Sequence, residues 1–171
     1  ALGSFAGDVY AYNCTFDGIR NNVLYPGSGG TYYARLYSCI VSYCTNLTAA
    51  NGTSAYLYNC DLYGSGIGNG YNSSSANIFN LDPWYVDRAA GNCHLRTFSP
   101  LVDIGTNMGA AMGSFDLDLA ARQRDGDADG ASTVDLGAYE SNFLSPTNSR
   151  FSTARPVYAV FGGSRSVPAF I

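Results

Sequence analysis

Asp125, Asp127 and Asp129 alternate through the run DGDADG (125–130), and carboxylates on every second residue are how a loop turns several oxygens toward one divalent cation. Calcium is the ion suited to that chemistry, and Asp135, a few residues on, is a further candidate ligand. An EF-hand loop needs a bidentate Glu at its twelfth position, where this chain has Leu136, and no helices flank the run. Two readings stay open: a calcium-stabilised turn without EF-hand geometry, or a plain solvated acidic turn.

The other chemistry-bearing residues point away from catalysis. Five cysteines are present, an odd number, so at least one is free unless it pairs between chains. None lies in a CxxC arrangement. The single His94 neighbours only Cys93, and adjacent residues of a strand face opposite sides, which argues against zinc. One histidine does not supply a Ser-His-Asp or Cys-His site. Asp116 and Asp118 have strand-like spacing in FDLDLAARQRD, yet they fall in a terminal segment poorly placed for the paired carboxylates of glycoside hydrolysis. Lyase chemistry needs an Arg or Lys base beside carboxylates, and no such pairing recurs. The expectation is no enzyme.

The elements that must position these residues are legible in a repeat. VYAYNCTF (9–16), ARLYSCIV (34–41) and AYLYNCDL (55–62) align on Cys14, Cys39 and Cys60, 25 and 21 residues apart. Apolar columns form down the alignment: Val9, Ala34 and Ala55; Ala11, Leu36 and Leu57; Phe16, Val41 and Leu62. They alternate with polar or aromatic ones on the period of two of a strand with one buried face. The alternation slips by one at Asn13, Ser38 and Asn59, which predicts a bend in a left-handed backbone conformation, with Asn side chains available to bond from one turn to the next. The expected fold is all-β: a right-handed parallel β-helix with coils of about 21–25 residues, preferred to a β-sandwich, which does not require column-by-column agreement. The three cysteines then read as reduced core residues. Cys44 finds no place in this scheme.

Outside that corner stand Tyr12, Tyr37 and Tyr58, with Tyr10, Arg35 and Tyr56 in the column two residues earlier. Tyr and Arg are enriched at interfaces. This face could be simple stacking between rungs, a glycan platform or a surface for another protein.

Composition agrees with strands and turns. All nine basic residues are Arg, Glu140 is the only Glu, and there are 20 Gly and 14 Tyr. A net charge of −4 without a basic cluster argues against nucleic acid, and no apolar run of about 18 residues could span a membrane. The chain starts with Ala, which suggests a processed or excised piece. Of the sequons at Asn13, Asn46, Asn51 and Asn72, the one at Asn13 occupies the corner and is a poor acceptor.

Beyond residue 76 the repeat gives way to NIFNLDPWYVDRAAGNCHLRTFSPLVDIGTN and then DGDADGASTVDLGAYE. The residues Asp82, Pro83, Val86, Asp87, Gly91, His94, Leu95, Ser99, Pro100, Asp103, Gly105, Asp135, Gly137, Ala138, Tyr139 and Glu140 follow the form DPxFVD…G(D)xHL…SPxxDxG…DxGAYE. Over residues 76–141 the chain thereby resembles bacterial surface proteins with right-handed parallel β-helix repeats and a choice-of-anchor Q type C-terminal segment. Cys93 departs from that pattern. The resemblance implies a β-helix closed at its C-terminal end by this segment, a structural His94, a secreted or cell-surface bacterial location, and no catalytic activity.

Three regions follow: β-helix coils over 1–75, terminal coils and cap over 76–141, and an extended tail over 142–171 in which PVYAVF reads as a strand. The tail is expected to rest on its own β-helix or on a neighbouring subunit as an added strand. The expected function is a non-enzymatic, extracellular structural protein that self-assembles into a homo-oligomer, fibre or surface layer through its aromatic face and tail. A carbohydrate-binding or polysaccharide-processing module is the alternative.

Overall fold

The computed structural model describes residues 2–5, 7–26, 32–48, 53–64, 71–73, 78–142, 157–161 and 165–169; the sequon at Asn51 and much of the tail lie outside them. A leading strand β1 (Leu2–Phe5) precedes β2 (Val9–Tyr12), β3 (Thr15–Asp17) and β4 (Asn22–Pro26). The same succession returns in β5 (Tyr32–Tyr37), β6 (Ile40–Ser42) and β7 (Asn46–Thr48). It begins again in β8 (Thr53–Tyr58) with β9 (Cys60–Tyr63), then in β10 (Tyr71–Ser73) with β11 (Ile78–Phe79). Strands of like rank pair in parallel, giving three sheets ordered β10-β8-β5-β2, β11-β9-β6-β3 and β1-β4-β7. The protein is thus all-β with parallel sheets. Its helical structure among the described residues is two short 3-10 segments, Arg88–Ala90 and Gly109–Met112.

The pairing register follows the sequence columns. Val9, Ala34 and Ala55 are hydrogen-bonded neighbours in the first sheet, as are Ala11, Leu36 and Leu57. Phe16 pairs with Val41, and Val41 with Leu62, in the second. Except for Val9, these side chains converge in one core with Val23, Leu24 and Leu47, and water is removed from an apolar stripe in each turn.

Two corners join the sheets. Asn13, Ser38 and Asn59 have φ of 44, 50 and 53°, the left-handed conformation expected of that column. A second set, Gly18, Tyr43 and Gly64, stands at φ of 65, 51 and 56° with the same 25- and 21-residue spacing. Sequence reasoning misses it because two glycines and a tyrosine do not read as one column. It also places Cys44, which turns into the core after the second corner as Cys39 does after the first. All five cysteines are free thiols. Each corner cysteine donates to the carbonyl two residues before it: Cys14 to Tyr12, Cys39 to Tyr37, Cys44 to Ser42 and Cys60 to Tyr58. Three also reach the preceding turn, at the carbonyls of Ala11, Phe16 and Leu36. The thiols thereby add a second donor at carbonyls that already accept from a neighbouring turn, Tyr37 O from Asn13 N, Ser42 O from Gly18 N and Tyr58 O from Ser38 N.

The corner side chains reach the C-terminal segment. Asn13 Nδ2 donates to the Asp135 carbonyl and Asn59 Nδ2 to the Ile104 carbonyl, while Ser38 Oγ accepts from Thr106 N. The C-terminal segment, expected as a lid on the last turn, lies along the flank of the stack. Stretches 103–107 and 133–138 run beside the first corner, joined by Gly105 N to Val134 O at 2.8 Å. Ile40, on the outer side of β6, packs with Leu101, Val102, Leu136, Tyr85 and Leu95 in a second core. All three residues of β6 are therefore buried, since one face meets the first core and the other the C-terminal segment. The strands β12 (Tyr85–Asp87) and β13 (Asn92–Leu95) pair antiparallel within that segment. In the tail, β14 (Val157–Phe161) and β15 (Arg165–Ala169) pair antiparallel with each other.

Candidate binding sites

The first corner turns Tyr12, Tyr37 and Tyr58 outward as a continuous stack. Ring centroids are 5.0 Å apart at 10° between Tyr12 and Tyr37, and 4.4 Å apart at 8° between Tyr37 and Tyr58. Partial burial between its neighbours pushes the Tyr37 hydroxyl up. In the adjoining column Tyr10, Arg35 and Tyr56 share register. Arg35 bonds Asp8 at 2.9 Å, accompanied by Tyr33 N to the other Asp8 oxygen. Its guanidinium also lies 5.3 Å from the Tyr10 and Tyr33 centroids and 5.6 Å from that of Tyr56. The six candidate residues of this face are thus contiguous, but Tyr10 alone among them is mainly exposed. Asp8 and Tyr33 were not legible as members because neither lies in an aligned aromatic column.

In the acidic loop the structure gathers Asp125 and Asp127 with Asp103, whose ligand oxygens all lie within 4.8 Å of one another. Asp103 Oδ2 accepts from Gly126 N at 2.7 Å and Asp127 N at 2.8 Å. Asp103 Oδ1 and Asp125 Oδ1 are buried without a hydrogen-bond partner among the described residues. Desolvation raises the Asp103 carboxyl to about 6. Asp129 and Asp135, also named from sequence, stand apart from the group. Asp129 accepts from Ala131 N, and Asp135 has both oxygens engaged, with Asp103 N and Ser141 N. Asp103 is 22 residues before Asp125, so only the flanking path of the C-terminal segment brings them together.

Asp116 and Glu140, farther along this segment, bond backbone N–H groups. Asp116 accepts from Asp118 N, Ala120 N and Glu140 N. Glu140 binds Arg122 at 3.1 Å and accepts from Asp135 N, in a pocket whose burial pushes its carboxyl up to about 8. His94 stacks on Tyr139 at 3.8 Å and lies 2.6 Å from both Asn92 Oδ1 and Asp118 Oδ2.

A cleft of about 770 Å³, which the sequence did not disclose, opens beside the second corner. It is lined by Tyr43, Asp82, Trp84, Tyr85, Arg88 and Arg96, among others.

Comparison with known protein families, with curated proteins and with solved structures finds no match to this chain.

Proposed function

We propose that the chain is a right-handed parallel β-helix domain of a secreted or cell-surface bacterial protein, with a structural rather than catalytic role, that associates with further copies of itself. The observation that carries this reading is the fixed succession of strands through three parallel sheets, in register at each turn. Parallel strands joined by crossovers in one sheet are almost always connected in the right-handed sense. The absence of catalytic intent is supported by the employment of the acids: Asp116, Asp135 and Glu140 are buried and bonded to backbone N–H groups. The bacterial surface location rests on the resemblance of residues 76–141 to choice-of-anchor Q type segments.

Self-association is assigned to the outward Tyr12, Tyr37 and Tyr58 stack and to the tail. Light scattering of the intact chain tests it. The expected result is an oligomer or polymer that the paired change Tyr37→Ala with Tyr58→Ala, or removal of residues 142–171, converts to smaller species. A stable monomer with the tyrosine face and tail open to solvent overturns it.

The acidic loop belongs to the same structural reading. Asp103, Asp125 and Asp127 are the residues that would hold one calcium ion and tie the loop to the 101–107 stretch. The two buried, unpartnered carboxylate oxygens favour this over a bare solvated turn.

A further inference from the structure

The cleft beside the second corner is built around a backbone outlier. Trp84 has φ of 52°, a conformation costly for a bulky residue, and the residue is 49 % exposed. Its backbone is held on both sides, by Trp84 N donating to Asp82 Oδ1 at 3.0 Å and Arg96 N donating to Trp84 O at 3.0 Å. Tyr43, which lines the same cleft, is also left-handed, at φ 51°, and 40 % exposed. Thus two rings that burial would ordinarily favour are presented to solvent from strained positions on separate segments of the chain.

The polar groups between them are already fixed. Arg88 Nε bonds Asp17 Oδ1 at 2.8 Å while its guanidinium lies 3.8 Å from the Tyr43 centroid. Arg96 donates to the Val86 carbonyl at 3.2 Å. Asp82 is held by Trp84 N and by the Tyr63 hydroxyl. Each guanidinium retains further N–H donors, and the Asp82 oxygens retain lone pairs. Groups locked before binding lose little conformational freedom when a ligand arrives.

We propose that this cleft is a binding site for an uncharged saccharide, with Trp84 as its stacking face, Tyr43 under the Arg88 guanidinium as its opposite wall, and Asp82, Arg88 and Arg96 as partners for hydroxyl groups. The lining carries two carboxylates, Asp82 and Asp87, and two guanidiniums, Arg88 and Arg96, with Arg88 further neutralised by Asp17. With Asp17 counted, the site has no surplus positive charge for an anionic ligand, and the Arg88 guanidinium over the Tyr43 ring keeps a second cation from that face. A flat exposed indole beside donors and acceptors matches the two sides of a pyranose, its C–H face and its hydroxyl rim. The volume lies in the usual range for small-ligand sites. The site is separate from the Tyr12, Tyr37 and Tyr58 stack, and its occupancy does not depend on self-association.

Trp84 is the only tryptophan in the chain, so its emission reports on this cleft directly. The full chain is screened on an array of neutral and acidic glycans, and the best neutral disaccharide is then titrated by fluorescence and calorimetry. The expected result is saturable binding with a blue shift of Trp84 emission. By calorimetry, Trp84→Gly weakens binding at least about tenfold, as loss of a central aromatic contact does. Glycine relaxes the φ of 52°, so this variant should retain the fold, checked by circular dichroism. Arg96→Ala is expected to weaken binding also, whereas Tyr37→Ala with Tyr58→Ala leaves it unchanged. Absence of any neutral-glycan binding overturns the proposal. So does binding that survives Trp84→Gly, or a cleft that responds to choline alone.

Discussion

Asp61 sits on β9 with no exposed surface; Oδ1 accepts from Leu81 N, and Oδ2 has no partner among the described residues. Burial raises its carboxyl to about 6 against an ordinary 3.8. The protonated form is therefore favoured by folding, and its contribution to stability is present at low pH and lost as pH rises through about 6. For this group alone the loss between pH 5 and pH 7 is about 1 kcal/mol. Asp61→Asn keeps the acceptor for Leu81 N and removes the charge, so its denaturation midpoint should vary less with pH than that of the parent over that interval. An unchanged pH slope would refute this. A second residue-scale expectation concerns the thiol column. The neighbouring Cys39 side chain lowers the Cys14 thiol to about 7, while burial pushes Cys39 up. Cys14 is also partly exposed, whereas Cys39 and Cys60 are buried. A thiol reagent at neutral pH should label Cys14 first, and Cys14→Ser should remove the fast phase.

The corners and the flanking segment form one mechanical unit. Gly137 N donates to Ser38 O, and Ala138 N to Thr15 Oγ1. A Cβ at Gly137, where φ is 91°, would stand 2.6 Å from Thr15 Oγ1 and 2.8 Å from Ile40 Cδ1. Gly137→Ala should destabilise the protein by about 2–4 kcal/mol, combining left-handed strain with overpacking. Chemical denaturation measures the loss, and hydrogen exchange should show it first in residues 133–141. The proposed calcium site, Asp103 with Asp125 and Asp127, lies elsewhere on the same segment. Under the proposed coordination, calcium raises the thermal midpoint, a chelator reverses the rise, and Asp103→Asn abolishes it. A rise that survives Asp103→Asn would place the ion elsewhere.

For the molecule as a whole, the flanking position of residues 101–107 and 133–141 changes what can associate. The segment covers the outer face of the β11-β9-β6-β3 sheet, so that face is closed to a partner, whereas the outer side of the β10-β8-β5-β2 sheet carries the tyrosine stack. Lateral association through the tyrosines is therefore compatible with the flanking segment in place. Removing residues 142–171 separates a contribution of the tail from that of this face, as light scattering under both changes would show.

The repeat columns and the first corner were readable in the sequence because a strand's alternation and a left-handed bend each leave a local mark. Asn13, Ser38 and Asn59 interrupt a period of two, and three aligned segments repeat the interruption. The second corner was hidden because Gly18, Tyr43 and Gly64 share a backbone conformation but no side-chain chemistry. Position along the chain likewise did not disclose Asp103 beside Asp125, or Trp84 beside Tyr43. The sequence by itself determined the parallel strands, their register and the inward thiols, since hydrophobic period and bend residues act over a few neighbours. Tertiary structure alone decided that the C-terminal segment lies on the flank and which acids and rings meet there. Those encounters depend on a packing path that no short-range pattern encodes.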